Sequence, residues 1–204
     1  HSIDMSRVEL PMMFNLHHPL NLEVIGAEAQ HDNMQSAAYR VIWGFLRKCP
    51  ASKVRFCIFD PKEGGGSVRM LSNFVNKMPD SYKRAVTQMS RTEELLSCLK
   101  ELEGQTLDFI RDRPDYDDLL DYNAHNPRRT EAITLLMLYD FPLNADARCL
   151  ELLSSVMQKG NRCGIYVVLC RNTAVEVASS YDHIDEKLAE LEKNCVQIEC
   201  KETV

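Results

Sequence analysis

Continuous apolar runs alternate with amphipathic helical segments along this chain, and this alternation limits its fold more than any other feature. An apolar run without a polar residue at every second position is typical of a strand that is buried on both faces. Strands of this kind, separated by helices, belong to parallel sheets with a helical layer on each side. The predicted strands are Leu10–Leu16, Leu20–Ile25, Val54–Phe59, Ile133–Tyr139, Gly164–Cys170 and Val196–Ile198. The sequence therefore predicts an α/β domain with a mostly parallel sheet flanked by helices.

Helical periodicity and capping residues mark the segments between these strands. A capping box at Ser90 and Glu93 predicts the start of a long helix, which Pro114 ends. Gly160 has the position of a C-terminal glycine after another amphipathic segment. The glycine run Gly64–Gly66 predicts a loop. The predicted helices are Met34–Leu46, a helix from Ser90 up to Pro114, Asp146–Gln158 and Ile184–Leu191.

The composition of the chain limits which classes of function and which cellular compartment we expect for it. The 204 residues carry a net charge of −6, which makes nucleic-acid binding by the domain as a whole unfavourable. Eight cysteines occur without any C-x-x-C pair, which favours reduced thiols in a cytoplasmic protein over a disulfide framework. No apolar run approaches the roughly 18–20 residues that a bilayer-spanning helix needs. We expect residues 1–204 to form a single domain and, because the chain starts at His1 rather than at a methionine, to be a fragment of a larger multidomain protein.

Four segments occur in the order that is found in one family of motor proteins. They resemble its second core strand with an Asp-Pro-Lys ending, the tail of its long helix, its Walker B strand, and its glycine-bounded turn with the sensor strand. The segments are Val54–Lys62 (VRFCIFDPK), Tyr116–Asn123 (YDDLLDYN), Ile133–Asp140 (ITLLMLYD) and Gly160–Asn172 (GNRCGIYVVLCRN). From Leu20 to Asn172 the chain thus resembles the motor domain of FtsK/SpoIIIE-type DNA translocases, in the HerA–FtsK branch of P-loop ATPases, which includes the type VII secretion ATPases. The resemblance implies a P-loop NTPase (RecA/FtsK-like) architecture, with ATP and magnesium as the cofactors of the family.

The phosphate loop of that family, G-x-x-x-x-G-K-[ST], aligns with residues 26 to 33 of this chain. Its glycines let backbone N–H groups surround the phosphates, its lysine neutralises their charge, and its hydroxyl binds magnesium. Gly26 matches the first glycine, and Ala27 follows it. His31, Asp32 and Asn33 stand at the positions of the second glycine, the lysine and the hydroxyl residue.

An aspartate at the lysine position reverses the electrostatics of this turn. At about 4 Å and an effective dielectric constant near 20, a carboxylate repels a unit phosphate charge by roughly 4 kcal/mol, whereas a lysine attracts it by the same amount. We therefore expect no nucleotide cofactor, and we interpret Asp32 and Asn33 as ordinary helix-capping residues. A nucleotide bound in an unusual mode is the alternative.

The other nucleotide-site positions of the family are also altered. Asp140 fits the Walker B aspartate that positions magnesium, but Phe141 stands where the family has the glutamate that activates water. Because it lacks these partners, we interpret Asp140 as a turn or cap residue rather than as a metal ligand. Asn172 replaces the glutamine that senses the terminal phosphate, and Arg162 lies one place from the arginine of the family in the preceding turn. Arg162 is accordingly a candidate interface residue that reaches a neighbouring subunit, and no catalytic residue or metal ligand is assigned.

These substitutions predict a degenerate FtsK/SpoIIIE-like ATPase domain of a cytoplasmic, bacterial system that does not hydrolyse ATP by itself. It would act as a regulatory or assembly module of a DNA-translocase or secretion-type motor. Its expected partners are other ATPase-type domains of the same chain or oligomer, with DNA or secreted protein contacted only indirectly and no membrane contact by this domain. Two alternatives remain open. One is an active ATP-binding DNA translocase domain with a divergent phosphate loop, and the other is a different ligand at Gly26, Asp60 or Asp140.

Overall fold

The apolar runs of the sequence are strands of a single sheet. The computed structural model describes residues 21–27, 30–61, 75–175 and 184–200. The strands in these ranges are β1 (Asn21–Gly26), β2 (Val54–Phe59), β3 (Val86–Met89), β4 (Ile133–Phe141), β5 (Ile165–Asn172) and β6 (Cys195–Glu199). The predicted strand Leu10–Leu16 and the predicted loop Gly64–Gly66 lie outside the described residues.

Amphipathic segments between the strands form the helices. They are α1 (His31–Lys48), α2 (Asp80–Lys83), α3 (Thr92–Asp112), α4 (Leu119–His125), α5 (Ala147–Lys159) and α6 (Ile184–Glu192). Two short 3-10 turns, Ala51–Lys53 and Gly160–Cys163, lead into β2 and β5. None of the helices in the described ranges is long and apolar enough to cross a membrane.

All strand pairs in the sheet are parallel, and the strand order is β3-β2-β4-β5-β1-β6. Every residue of the inner strand β4 is buried, which is why all of its residues except Thr134 and Asp140 are apolar. The edge strand β3 has the sequence VTQM, of which only Met89 is buried. The parallel α/β architecture predicted from the sequence is therefore confirmed. One feature of the order matters for the site: β5 lies between β1 and β4.

Helices cover both faces of the sheet. Right-handed connections between parallel strands place α1 and α2 on one face and α3, α5 and α6 on the other. On the first face, the Tyr82 hydroxyl of α2 donates a hydrogen bond to the Cys49 carbonyl at the end of α1, at 3.0 Å. The Phe45 ring of α1 also contacts the Tyr166 ring of β5, with centroids 5.9 Å apart. On the second face, α3 packs against α5, and α5 packs against α6.

The capping box predicted at Ser90 and Glu93 is wrong by one residue. The helix α3 begins at Thr92, and its N-cap is Arg91. The Glu94 carboxylate, rather than that of Glu93, accepts hydrogen bonds from the backbone N–H groups of Ser90 (2.9 Å) and Arg91 (3.2 Å). The bond from Ser90, together with those from Arg91, lowers the pKa of Glu94 to about 2. The motif is thus present, but it uses the second of two adjacent acidic residues.

Candidate functional site

The carboxyl ends of parallel strands meet at one edge of the sheet, and ligands of open α/β sheets bind at this edge. The register aligns Gly26 at the end of β1 with Asn172 at the end of β5. Across the other side of β5, Phe141 of β4 aligns with Arg171. The structure therefore brings together the positions that correspond to the first glycine, the Walker B aspartate and the sensor of the resembled family.

Helix α1 leaves no room for a side chain at Gly26. A Cβ atom there would lie 2.9 Å from the Sδ atom of Met34 and 3.2 Å from the Cβ atom of Gln30. Both distances are shorter than ordinary van der Waals contacts, so the glycine lets the first turn of α1 approach the end of β1. The close approach of α1 to β1 is therefore enough to explain why a glycine stands at position 26, whether or not a phosphate binds there.

The turn between β1 and α1 is closed by the side chain of Gln30. The Gln30 backbone N–H donates to the Ala27 carbonyl at 2.9 Å. In the opposite direction, the Ala27 backbone N–H donates to the Gln30 Oε1 atom, also at 2.9 Å. Gln30 is buried. One of the backbone donors that would face a phosphate in a phosphate loop is therefore bound by an amide oxygen of the chain itself.

The start of α1 corrects the interpretation of its acidic residue. Helix α1 begins at His31, and its N-cap is Gln30, so Asp32 and Asn33 lie inside the first turn rather than at the cap. Both side chains are exposed. A carboxylate in the first turn of a helix interacts favourably with the helix dipole. Asp32 thus places a negative charge where an anionic ligand would otherwise be attracted.

Asp140 and Asn172 form a buried hydrogen-bonded pair. The Asn172 Nδ2 group donates to the Asp140 Oδ1 atom at 3.1 Å, and each residue is only 1% exposed. The Asn172 Oδ1 atom in turn accepts from the Ala174 backbone N–H at 3.0 Å. Asp140 has a φ angle of 47°, a left-handed conformation that aspartate and asparagine tolerate better than most residues. The sequence-predicted Walker B and sensor positions are in direct contact.

Phe141 belongs to the hydrophobic core. It is 2% exposed and follows an irregularity in the pairing of β4 with β5 between Leu138 and Phe141. A phenyl ring has no proton acceptor, so this position cannot activate a water molecule. The Leu143 backbone N–H donates to the Asp140 carbonyl at 2.9 Å, which closes a turn directly after the strand. Asp140 is thus a buried carboxylate at the end of β4 and also the first residue of a turn, in agreement with its interpretation as a turn residue.

Sequence reasoning missed a group of buried polar residues near the same edge. Burial raises the pKa of Tyr39 to about 12, and the Asp60 carboxylate acts in the same direction. The pKa of Tyr139 is also raised, first by burial and then by charges that include those of Cys170, Tyr39 and Asp60. Both shifts favour the protonated form of the phenols. In the sequence, only the position of Tyr139 next to Asp140 indicated that one of these residues lies near the candidate site.

A buried amide lies one helical turn before Tyr39. Gln35 is 2% exposed, and neither polar atom of its amide has a hydrogen-bond partner among the residues that the structure describes. The carboxylate of Asp60, 5% exposed, follows β2 on the same edge, and its backbone N–H donates to the Met89 carbonyl. Within the described ranges, no group of three or more His, Cys, Asp or Glu side chains is placed to hold a metal ion.

Arg162 lies at the opposite, amino-terminal edge of the sheet, in the 3-10 turn before β5. Its Nε atom donates to the Asp117 carbonyl at 3.0 Å, and its Nη2 atom donates to the Tyr116 carbonyl at 2.8 Å. The guanidinium thus holds the loop before α4 against the turn before β5. The structure does not bring Arg162 together with the other predicted site residues.

A cavity of about 410 Å³ opens at this amino-terminal edge, between α3 and the starts of β2, β4 and β5. The charged side chains of its lining are held in ion pairs, some of them with residues outside the lining. The guanidinium of Arg113 is bound to Glu131 and lies 4.2 Å from the centroid of the Tyr122 ring. Arg55 is bound to Glu101 at 3.1 Å. Asp108 and Asp112 of the lining are bound to Arg111, so each charged side chain of the lining has an ion-pair partner.

The parallel sheet with helices on both faces has an α/β fold of the P-loop NTPase type. No protein-family model and no curated protein matches the chain. Solved structures do match. Over 90% of its length the chain is similar to the cytoplasmic domain of the type VII secretion ATPase EccC of Thermomonospora curvata, with 15% identity and a TM-score of 0.61. Over 92% it is similar to the monomer form of the pCW3 conjugation coupling protein TcpA with ATPγS, with 12% identity and a TM-score of 0.63.

A third similar structure comprises ATPases 2 and 3 of EssC from Geobacillus thermodenitrificans, with 12% identity over 78% of the chain and a TM-score of 0.56. These similarities confirm the predicted resemblance to FtsK-like and type VII secretion ATPases at the level of the fold. The chain spans 21% of the EccC structure, 29% of the EssC structure and 50% of the TcpA structure.

Proposed function

We propose that this domain is a motor-ATPase-like module that does not hydrolyse ATP and that regulates or assembles a larger motor. The observation that carries the proposal is the state of the phosphate-loop turn. Its Ala27 N–H is bound by the Gln30 side chain, and an exposed carboxylate, Asp32, stands at the lysine position. One backbone donor of the turn is thus already bound, and a negative charge stands where a phosphate-binding loop has a positive one.

The magnitudes support a loss of phosphate binding. An attraction of roughly 4 kcal/mol becomes a repulsion of the same size when a lysine is replaced by an aspartate, a change of about 8 kcal/mol before solvent screening. Because Asp32 is exposed, screening reduces this change. Even a quarter of it, about 2 kcal/mol, weakens affinity more than tenfold. A ligand would also have to displace the buried Gln30 oxygen from Ala27.

The residues at the end of β4 argue separately against hydrolysis of ATP. Magnesium keeps several bound waters and an octahedral shell, so its ligands lie in an open, hydrated site. Asp140 is 1% exposed and is bound to Asn172 instead. The following position carries the buried Phe141, which cannot accept a proton. These two features support a non-hydrolytic role independently of nucleotide affinity.

The proposed partners are other ATPase-type domains of the same chain or oligomer. The similar structures of EssC and EccC include ATPases 2 and 3 of those proteins, which are arrays of such modules. We place this domain in the bacterial cytoplasm beside an active module, with DNA or secreted protein contacted only through that module. Arg162 remains the proposed interface residue, and it would have to release the carbonyls of Tyr116 and Asp117 to reach a neighbour.

Restoring the chemistry of the phosphate loop tests the proposal. In the triple variant His31→Gly, Asp32→Lys and Asn33→Ser, we expect magnesium-ATP affinity to rise about a hundredfold or more over the original chain, as measured by calorimetry. Adding Gln30→Ala should increase it further, because the Ala27 N–H is then released.

Asp185→Lys is the matched control, because it makes the same charge change in the first turn of α6 without touching the loop. It should leave affinity unchanged. If the rebuilt loop stays folded and binds no more ATP than the control, the alignment of residues 26 to 33 with a phosphate loop is wrong.

A further inference from the structure

Helix α6 and strand β6, which together we call the edge unit (Ile184–Glu199), join the sheet with little apolar contact. Within the described residues of α6, only Leu188 and Leu191 are buried, and no residue of β6 is. By contrast, every residue of β4 is buried. In the sheet that the structure describes, β6 pairs with β1 alone. Few buried apolar contacts are typical of a segment that opens before the rest of a domain.

A buried carboxylate on β1 holds the edge unit through polar contacts. Glu23 is 1% exposed and accepts a hydrogen bond at 2.9 Å from Gln197, the residue opposite it on β6. Its other oxygen atom lies 3.5 Å from the guanidinium of Arg171 on β5. Arg171 also binds the carboxylate of Glu192 in the last turn of α6. These four side chains connect β1, β5, β6 and α6 in one polar network.

Further polar contacts attach the edge unit at both ends of β1. The Asn21 side chain, also 1% exposed, donates to the Asn194 carbonyl between α6 and β6 at 3.3 Å. At the other end, the Ile25 carbonyl accepts from the Cys200 backbone N–H at 2.8 Å. On its opposite side, β1 pairs with β5 from Leu22 to Gly26. The five other strands therefore form a continuous sheet without β6.

We propose that the edge unit is a releasable cover over β1, and that the network of Glu23, Arg171 and Glu192 is its lock. The unit separates from β1 in one cooperative step while the five other strands stay folded. Separation exposes the backbone N–H and C=O groups of β1 that β6 covers, and a strand of another chain can add to such groups. Because β1 ends at Gly26, the cover lies directly beside the candidate site. The inference goes beyond the proposed function, since it depends neither on the phosphate-loop alignment nor on a nucleotide.

The lock depends on the cost of a buried charge. In the closed state Glu23 is shielded from water, so its charge is stabilised by Arg171 and Gln197. In the open state Gln197 moves away with the edge unit, and water takes its place. Removing Arg171 therefore destabilises the closed state more than the open state and shifts the equilibrium towards opening.

The test is hydrogen–deuterium exchange of the unaltered chain, followed peptide by peptide with mass spectrometry at increasing urea concentrations below global unfolding. Urea is chosen because it is uncharged and does not screen the ion pairs. We expect the backbone amides of α6 and β6 to exchange together, about a hundredfold or more faster than those of β4 and β5. The proposal is overturned if the edge unit is as well protected as β4, or if α6 and β6 open in separate steps.

Replacing one member of the lock should act on the edge unit alone. In Arg171→Met, we expect exchange of α6 and β6 to become about tenfold or more faster, with that of β4 unchanged. The matched control is Lys187→Met, which removes a 2.6 Å ion pair between α6 and the largely exposed Glu151 of α5. Exposed ion pairs contribute little, so its exchange should change by less than about threefold.

The double variant Glu23→Gln with Arg171→Met distinguishes the buried charge from lost packing. Its edge unit should regain most of the protection of the original chain, because no unpaired carboxylate is then buried. Lost packing of the Arg171 side chain would not be restored by a change at Glu23. Absence of this rescue, or equal acceleration of β4 and the edge unit by Arg171→Met, would contradict the lock.

Discussion

Replacing Gly164 by alanine is expected to lower the free energy of unfolding by roughly 2–5 kcal/mol. Gly164 has a φ angle of +72°, which disfavours residues with a Cβ atom. The new Cβ atom would lie 2.3 Å from the Cδ2 atom of Leu119, which is 2% exposed at the start of α4. The backbone cannot easily move away, because the Gly164 carbonyl accepts from the Thr134 N–H at 2.9 Å and its own N–H donates to Asn161 at 3.1 Å.

The matched control is Gly104→Ala. Gly104 lies in α3, and a Cβ atom there would meet no atom within 4 Å. Alanine favours a helix over glycine, so this variant should be neutral or more stable by up to about 1 kcal/mol. Denaturant unfolding of both variants measures the difference. Equal stability of the two would show that the turn before β5 does not pack against Leu119.

The second large effect is expected from Asn172→Asp, which places two carboxylates in contact inside the site. The Asn172 Nδ2 atom lies 3.1 Å from the Asp140 Oδ1 atom. Two unit charges at that distance repel by about 5 kcal/mol at an effective dielectric constant near 20. We expect a loss of roughly 3–5 kcal/mol of stability at pH 7, because neither residue has access to bulk water.

The pH dependence distinguishes this repulsion from a general loss of packing. Protonating one carboxyl group removes the repulsion and restores a hydrogen bond, so the variant should regain stability relative to the original chain as the pH falls. Gln88→Glu is the control, because it adds the same charge at an exposed position on the edge strand β3. A loss for Asn172→Asp that is small and independent of pH would mean that the pair with Asp140 does not exist.

The sheet could be predicted from the sequence because its inner strands are buried on both faces and leave continuous apolar runs. β4 and β5 were predicted within two residues for this reason. The edge strand β3 was not, since three of its four residues are at least partly exposed and VTQM contains no apolar run. Helix α4 was noticed only as part of a family-like motif, because its seven residues are too few to show helical periodicity.

The site could be predicted in part. Strand ends of a parallel sheet converge, so the contact between Asp140 and Asn172 follows from the assignment of β4 and β5. The closure of the turn by Gln30 could not be predicted, because it depends on how closely α1 approaches Gly26. The N-cap of α3 was misplaced for a simpler reason. Ser90 with Glu93 and Arg91 with Glu94 have the same spacing, and only the hydrogen bonds of the folded chain distinguish them.

The most direct test of the central claim is a calorimetric titration of the unaltered chain with magnesium-ATP, accompanied by an assay for released phosphate. An aspartate at the lysine position, a turn closed by Gln30 and a buried Asp140 predict no saturable binding up to millimolar ATP and no release of phosphate. Micromolar binding, with or without turnover, would contradict the account, because the turn after β1 would then accept a triphosphate despite its charge.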